Sequence, residues 1–148
     1  MDFKGIAAML LIVAAGPALA QDAAAPDAAM EITGDAEAGA KVFRKCAACH
    51  AVGEDAENKI GPALNGVVGR VAGTHEGFDY SDAMVAAGEG GMTWTPEELD
   101  AFLLNPKQHV PGTKMSFPGL RKDEDRADVI AYLAGFAEDG TPAEEEGS

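Results

Sequence analysis

Apolar and polar residues in the core of the chain recur with helical spacing, and the alternation typical of strands is nearly absent. The segment from Asp35 to Cys46 has an apolar face at positions i, i+3, i+4 and i+7. That face consists of Ala36, Gly39, Ala40 and Phe43. We therefore predict a first helix over residues 35–46.

Capping residues predict two more helices. Ser81 can cap a short helix that runs through Met84 to Ala87 and ends at the glycine that follows. Thr95 has the position of an N-cap, with a proline next to it and Glu98 three residues on, as in a capping box. This helix is expected to stop before the pair Asn105-Pro106, because proline disfavours helical backbone in the residue before it.

A last helix begins near Asp123, where acidic residues occupy the first turn and interact favourably with the helix dipole. Its apolar residues are Val129, Ile130, Tyr132, Leu133 and Phe136. The fold class is therefore all-α. Between the helices lie two long Gly/Pro-rich loops, Gly53 to Gly77 and Pro106 to Leu120. Loops of this length in a small domain normally require something to organise them.

Both ends of the chain differ in composition from the core. Residues 1–20 have the charged start, apolar run and Ala18-Leu19-Ala20 site of a signal peptide cleaved after Ala20, which predicts export to the periplasm. The apolar run is too short to span a bilayer, which takes about 20 apolar residues, so an uncleaved anchor is the weaker alternative. Residues 21–33 are expected to be a flexible Ala/Asp/Pro linker and residues 138–148 a disordered acidic tail. One domain, residues 34–137, remains.

Most of the net negative charge lies in the two ends. The whole chain carries a formal net charge of −14, whereas residues 34–137 contain 16 acidic and 10 basic residues. Phosphate groups repel such a chain, so we expect no nucleic-acid partner.

The segment Cys46-Ala47-Ala48-Cys49-His50 uses both cysteines of the chain. Two thiols three residues apart, followed directly by histidine, are the attachment pattern of c-type haem. The thiols form thioethers with the two vinyl groups, and the imidazole binds iron. A thiol–disulfide oxidoreductase would need a βαβ pattern, and a zinc protein a second pair of ligands; neither is visible.

Short sequence blocks along the core resemble those of a known family. They are Cys46-Ala47-Ala48-Cys49-His50, Gly61-Pro62-Ala63-Leu64, Gly69-Arg70, Gly77-Phe78-Asp79-Tyr80, Thr93-Trp94, Asn105-Pro106-Lys107, Pro111-Gly112-Thr113-Lys114-Met115-Ser116-Phe117 and Asp128-Val129-Ile130-Ala131-Tyr132-Leu133. In this order the core is similar to a class I cytochrome c of the bacterial cytochrome c2 type, close to the mitochondrial proteins. The resemblance implies four to five helices around one covalent haem c. It also implies that the first and last helices cross, with Gly39 and Phe43 against Val129 and Tyr132.

The resemblance implies that His50 and Met115 are the two axial ligands of the haem iron. A lone methionine more often fills a core than binds a metal, but the block Gly112-Thr113-Lys114-Met115 matches the ligand loop of the family. His109 lies on the same loop and is the main competitor. Met84, Met92 and His75 remain further candidates without a loop motif.

Further site residues follow from the resemblance. The carbonyl of Pro62 is expected to accept a hydrogen bond from His50 and so to fix its tautomer. Arg70, Tyr80, Trp94 and Thr113 occupy positions near the haem propionates, which need partners when they are buried.

Two departures from the family pattern lie near the iron. Phe102 stands where the mitochondrial proteins have a tyrosine, and Met84 where a polar amide is common. Both changes are expected to make the pocket drier.

The implied function is one-electron transport by a soluble periplasmic monomer that is not inserted in a membrane. A cytochrome bc1-type complex would donate the electron, and a terminal oxidase, a photosynthetic reaction centre or a denitrification enzyme would accept it. Relatives dock through basic residues at the haem edge, which correspond here to Lys45, Lys59, Lys107, Lys114, Arg121 and Lys122. The alternative is a haem enzyme or gas-binding protein with one iron position open.

Overall fold

The structure, a computed structural model, describes residues 31–143. This part of the chain contains the helices α1 (Ala36–Phe43), α2 (Asp82–Glu89), α3 (Pro96–Leu104), α4 (Pro106–His109) and α5 (Asp123–Ala134). Its only β pairing is two isolated bridges, so the all-α prediction is confirmed. The predicted signal peptide and most of the predicted linker lie outside the described residues. Within residues 31–143 no helix is long and apolar enough to cross a membrane.

The first two helices begin where the sequence predicts. Asp35 caps α1, its carboxylate accepting two backbone N–H groups of the first turn, and Ser81 caps α2 by accepting the N–H of Met84 at 3.2 Å. Helix α1 ends at Phe43, three residues earlier than predicted, and hydrogen-bonded turns continue from there to the cysteines. Helix α2 runs past Gly88 to Glu89, because this glycine packs against the carbonyl of Ala72 instead of ending the helix.

The N-terminus of α3 has only one of the two hydrogen bonds of a capping box. The Thr95 hydroxyl accepts the N–H of Glu98 at 3.1 Å, as predicted. The second hydrogen bond of a capping box is not made: the N–H of Thr95 donates to the carbonyl of Thr93 at 2.7 Å, and the carboxylate of Glu98 pairs with the imidazole of His109. The pair of Glu98 and His109 therefore connects α3 to α4.

Helix α4 was not predicted. The pair Asn105-Pro106 ends α3 at Leu104 as expected, but it also begins a new helical turn. The side chain of Asn105 accepts the N–H of Gln108 at 3.2 Å, and Pro106 occupies the first helical position, where its missing N–H costs nothing. The same two residues therefore stop one helix and start the next.

Helices α1 and α5 cross at close range. A side chain at Gly39 would overlap the carbonyl oxygen of Asp128, so the backbones can approach only because this residue is glycine. The rings of Phe43 and Tyr132 pack beside the crossing with centroids 5.3 Å apart. Val129 is almost fully buried there. The predicted crossing is therefore confirmed.

Arg126 joins α5 to α3 and to the end of the loop that carries Met115. Its guanidinium contacts the carboxylates of Asp100 at 2.7 Å and Asp123 at 2.6 Å, and it donates to the carbonyl of Leu120 at 2.9 Å. These contacts, led by the hydrogen bond to Asp100, raise the pKa of Arg126 above its usual range. The side chain is buried with all three partners in place, so it fixes where the loop returns to the helices.

The chain remains structured after α5. The N–H of Ala137 donates to the carbonyl of Thr141, and that of Ala143 to Gly135, both at 2.9 Å. Gly140 allows this turn because its φ is +82°, a region that other residues rarely adopt. Residues 138–143 thus differ from the disordered tail that their composition predicts, whereas the acidic cluster at 144–146 lies outside the described residues. We call residues 136–143 the C-terminal turn.

Candidate functional site

A cavity of about 380 Å³ lies between the long loops and helices α3 and α5. All nine residues that the sequence nominates line it, although they come from positions 46 to 115. They are Cys46, Cys49, His50, Pro62, Arg70, Tyr80, Trp94, Thr113 and Met115. Most of the remaining wall is apolar and is contributed by core residues such as Leu99, Phe102, Val129 and Leu133. The structure therefore brings the site residues predicted from the sequence to the wall of one cavity.

The imidazole of His50 is held in one tautomer. Its Nδ1 lies 2.7 Å from the carbonyl oxygen of Pro62. A carbonyl can only accept, so Nδ1 carries the proton and Nε2 keeps its lone pair. Burial lowers the pKa of His50 and the charge of Lys59 lowers it further, while the hydrogen bond to Pro62 opposes them. The ring is thus neutral at neutral pH, with a lone pair on Nε2 that could bind a metal.

Gly61 is a site residue that the sequence reading did not single out. A Cβ atom there would overlap the imidazole of His50. The backbone of Gly61 is fixed as well, because its N–H donates to the carbonyl of Cys49 at 2.9 Å and its carbonyl accepts the N–H of Lys59 at 2.8 Å. The sequence shows a glycine before Pro62, in the Gly61-Pro62 block. The reason why glycine is needed there becomes visible only in the contact with the imidazole.

The two thiols lie half-buried at the cavity wall and are not joined as a disulfide. Burial raises the pKa of Cys46, with Lys45 opposing and Cys49 adding to the shift. Thiol–disulfide oxidoreductases instead depend on a thiol of lowered pKa. Within residues 31–143, no group of three or more His, Cys, Asp or Glu side chains is arranged to hold a metal ion. Neither observation favours the redox-thiol or the zinc alternative.

The candidates for a second iron ligand are separated by their positions. Met115 lines the cavity. Met84 also lines it, as a buried side chain of α2. His109, Met92 and His75 are not part of the lining, and the imidazole of His109 is paired with Glu98. The structure therefore leaves the two methionines as candidates.

Four of the polar residues in the cavity lining are those that the resemblance places near the haem propionates. Arg70 donates from Nη1 to the carbonyl of Asn65 at 2.8 Å. Burial lowers the pKa of Arg70 and raises that of Tyr80, and the charge of each opposes the shift of the other. Trp94 is buried and packs on Phe102 with ring centroids 4.9 Å apart. The hydroxyl of Thr113 accepts the N–H of Met115 at 3.3 Å, which orients the methionine loop.

The two departures from the family pattern both lie in the cavity wall. Phe102 and Met84 are each only 6% exposed, and neither brings a hydroxyl or an amide group to the wall. The lining is accordingly apolar at both positions.

These groups fit a c-type haem. Two unpaired thiols can form its thioethers, a neutral imidazole with a free Nε2 and a thioether sulfur can bind its iron, and the apolar wall can enclose its ring. Any residue larger than glycine at position 61 would overlap that imidazole. Fold and site together define a small helical protein that carries one covalently attached haem.

Comparisons with known proteins agree with this class. Residues 36–136 match the family model described as cytochrome c. The chain is 53% identical over 105 residues to a cytochrome c2 of Afifella marina, covering 71% of this chain and 85% of the relative. It is 48% identical over 111 residues to a cytochrome c2 of Agrobacterium tumefaciens, covering 75% and 99%.

A solved structure of cytochrome c2 from Rhodospirillum centenum superposes with a TM-score of 0.68 at 45% identity, over 70% of this chain and 99% of that one. The chain belongs to the cytochrome c family. It is an electron carrier and not an enzyme, and its cofactor is haem c, whose attachment motif has the spacing of Cys46 and Cys49.

Proposed function

We propose that the protein is a soluble periplasmic one-electron shuttle of the cytochrome c2 type, with His50 and Met115 as the axial ligands of its haem iron. The observation that carries the proposal is the convergence of the two thiols, the imidazole and the Met115 thioether on one cavity. When bound, the haem supplies a single Fe(II)/Fe(III) couple.

Each residue has a role in this proposal. His50, fixed by Pro62, is a strong donor that does not rotate away. The soft sulfur of Met115 favours Fe(II) and raises the reduction potential compared with a second imidazole. Arg70, Tyr80, Trp94 and Thr113 hold the haem carboxylates. His50 and Met115 would together hold the iron, and because neither side chain has to leave during reduction or oxidation, the site suits one-electron transfer.

Partners and location belong to the same proposal. We propose that residues 1–20 are removed as a signal peptide, that residues 21–33 form a linker, and that the monomer works in the periplasm. A cytochrome bc1-type complex would reduce it, and a terminal oxidase, a reaction centre or a denitrification enzyme would oxidise it, in respiration or photosynthesis. The names of the relatives, cytochrome c2, support this assignment.

The absorption spectrum of the purified periplasmic protein tests the proposal. We expect a low-spin haem that does not bind carbon monoxide when reduced, because both axial positions are taken. A high-spin haem, or rapid carbon monoxide binding, would instead support a haem enzyme or gas-binding protein.

The docking rim that we propose consists of the six basic residues Lys45, Lys59, Lys107, Lys114, Arg121 and Lys122. All six are exposed. Lys45 and Lys114 border the cavity itself, where they pair with Asp125 at 3.2 Å and Asp79 at 3.0 Å. Exposed pairs of this kind are weak, so they can open to meet a partner. A positive rim on an acidic protein creates a dipole that orients encounters.

Raising the ionic strength is expected to slow electron transfer to or from the physiological partner by about tenfold between low salt and 0.5 M, since screening weakens steering. Stopped-flow measurement of the second-order rate gives the salt dependence. Lys107→Gln should lower the rate at low salt and flatten the dependence. Lys41→Gln, an exposed lysine of α1 outside the rim, is the matched control. A rate that does not change with salt would contradict the proposal that the docking rim steers the partner.

A further inference from the structure

Asn65 is a buried polar residue that does not line the cavity. It is 6% exposed. Its side-chain oxygen accepts the N–H of Gly53 at 2.8 Å, and its side-chain nitrogen donates to the carbonyl of the same residue at 2.9 Å. One amide therefore satisfies both backbone groups of Gly53 and closes the loop between them.

The same residue is connected to the cavity through its backbone. The carbonyl oxygen of Asn65 accepts a hydrogen bond from Nη1 of Arg70 at 2.8 Å, and that nitrogen also lies 3.3 Å from Nδ1 of His75. Arg70 is half-buried in the cavity wall. A shift of Asn65 would therefore move the anchor of the guanidinium.

The C-terminal turn holds this loop from the outside. The N–H of Gly66 donates to the carbonyl of Phe136 at 3.0 Å. Gly140 lies so close to the carbonyl of Gly53 that a side chain there would overlap it. Gly66, with φ at +62°, packs in the same way against the backbone of Glu138. The loop is thus held between the Asn65 amide and the turn.

We propose that Asn65 and the C-terminal turn are positioning elements that hold the guanidinium of Arg70 against the haem carboxylates. The inference rests on the proposed function, because it takes Arg70 to face those carboxylates. Neither Asn65 nor the C-terminal turn lines the cavity. The cation they hold makes oxidation of the iron less favourable, because Fe(III) adds positive charge near it.

The test is a double-mutant cycle on the holoprotein, with the reduction potential as the readout. Arg70→Gln should lower the equilibrium constant for reduction about three- to tenfold, which corresponds to about 30–60 mV for one electron. Asn65→Ala should cause a shift in the same direction. Asn65→Ala added to Arg70→Gln should cause no further shift, because it acts through the guanidinium.

Gly140→Ala disturbs the same loop from the side of the C-terminal turn and leaves the charge unchanged. It also provides a test if Asn65→Ala yields no holoprotein. It should also lower the potential, whereas Gly135→Ala, immediately before the C-terminal turn and with a φ of −74°, should not. An unchanged potential in Asn65→Ala and Gly140→Ala, or an equal shift of Asn65→Ala in both backgrounds, overturns the inference. An unchanged potential in Arg70→Gln also overturns the inference, because it contradicts the premise that Arg70 faces the haem carboxylates. If that variant still has a low-spin spectrum, the proposed electron-carrier function is unaffected.

Discussion

Replacing Met115 with alanine is expected to lower the reduction potential by on the order of 100 mV and to open the haem iron to carbon monoxide. The soft thioether stabilises Fe(II), and the identity of the axial ligands sets the potential over a range of about 0.8 V. The truncated side chain leaves no sulfur in the methionine loop, whose position Thr113 and Arg126 still hold. Redox titration and the spectrum of the reduced protein with and without carbon monoxide measure both effects.

Met84→Leu is the matched control, since Met84 is the other methionine of the cavity wall. Leucine conserves its volume and apolar character, so the stability cost should stay below about 1.5 kcal/mol and the low-spin spectrum should persist. If Met84→Leu opens the iron and Met115→Ala does not, the ligand is Met84. His109 is the less suitable candidate, because its imidazole is paired with Glu98.

Replacing Gly61 with alanine is expected to displace His50 and to reduce the yield of low-spin holoprotein. The added methyl group overlaps the imidazole, and the two backbone hydrogen bonds of Gly61 prevent the loop from moving away. Overpacking of this kind typically costs about 1–3 kcal/mol. Urea unfolding measures the loss of stability, and the fraction of low-spin haem measures the displacement of the ligand.

Gly90→Ala is the comparison for this variant. Gly90 ends α2, is exposed and has an ordinary φ, and a Cβ there meets only carbonyl oxygens of its own helix at 3.3 Å or more. Its effect should be small. If Gly61→Ala has the stability and spectrum of the unmodified protein, the close contact with His50 does not control ligation.

The sequence predicts best those features that neighbouring residues determine. The spacing of Cys46, Cys49 and His50 predicts the cofactor, and the caps Ser81 and Thr95 predict where two helices begin, because each signal depends on atoms a few residues apart. The same locality explains why Asn105-Pro106 could be interpreted as a stop although it also starts α4.

Features that depend on folding were missed or only partly predicted. Glu98 binds His109, eleven residues away, instead of completing its capping box. The roles of Gly61 and Asn65 depend on contacts that form only when the loops fold: Gly61 packs against an imidazole, and the Asn65 side chain accepts a backbone N–H. The segment after Ala137 has the composition of a tail, but it is held by contacts with residues more than 70 positions earlier, which composition cannot reveal.

The cavity wall and the hydrophobic core are largely the same residues. Leu99, Phe102, Val129 and Leu133 pack on the helices and also face the space that the haem fits. A ligand that binds only the folded state stabilises that state by mass action, and a covalent one does so permanently. Haem attachment and folding are therefore thermodynamically linked. A chain that fails to acquire the cofactor should populate open states that proteases degrade, so the amount of this protein in the cell should follow the supply of haem.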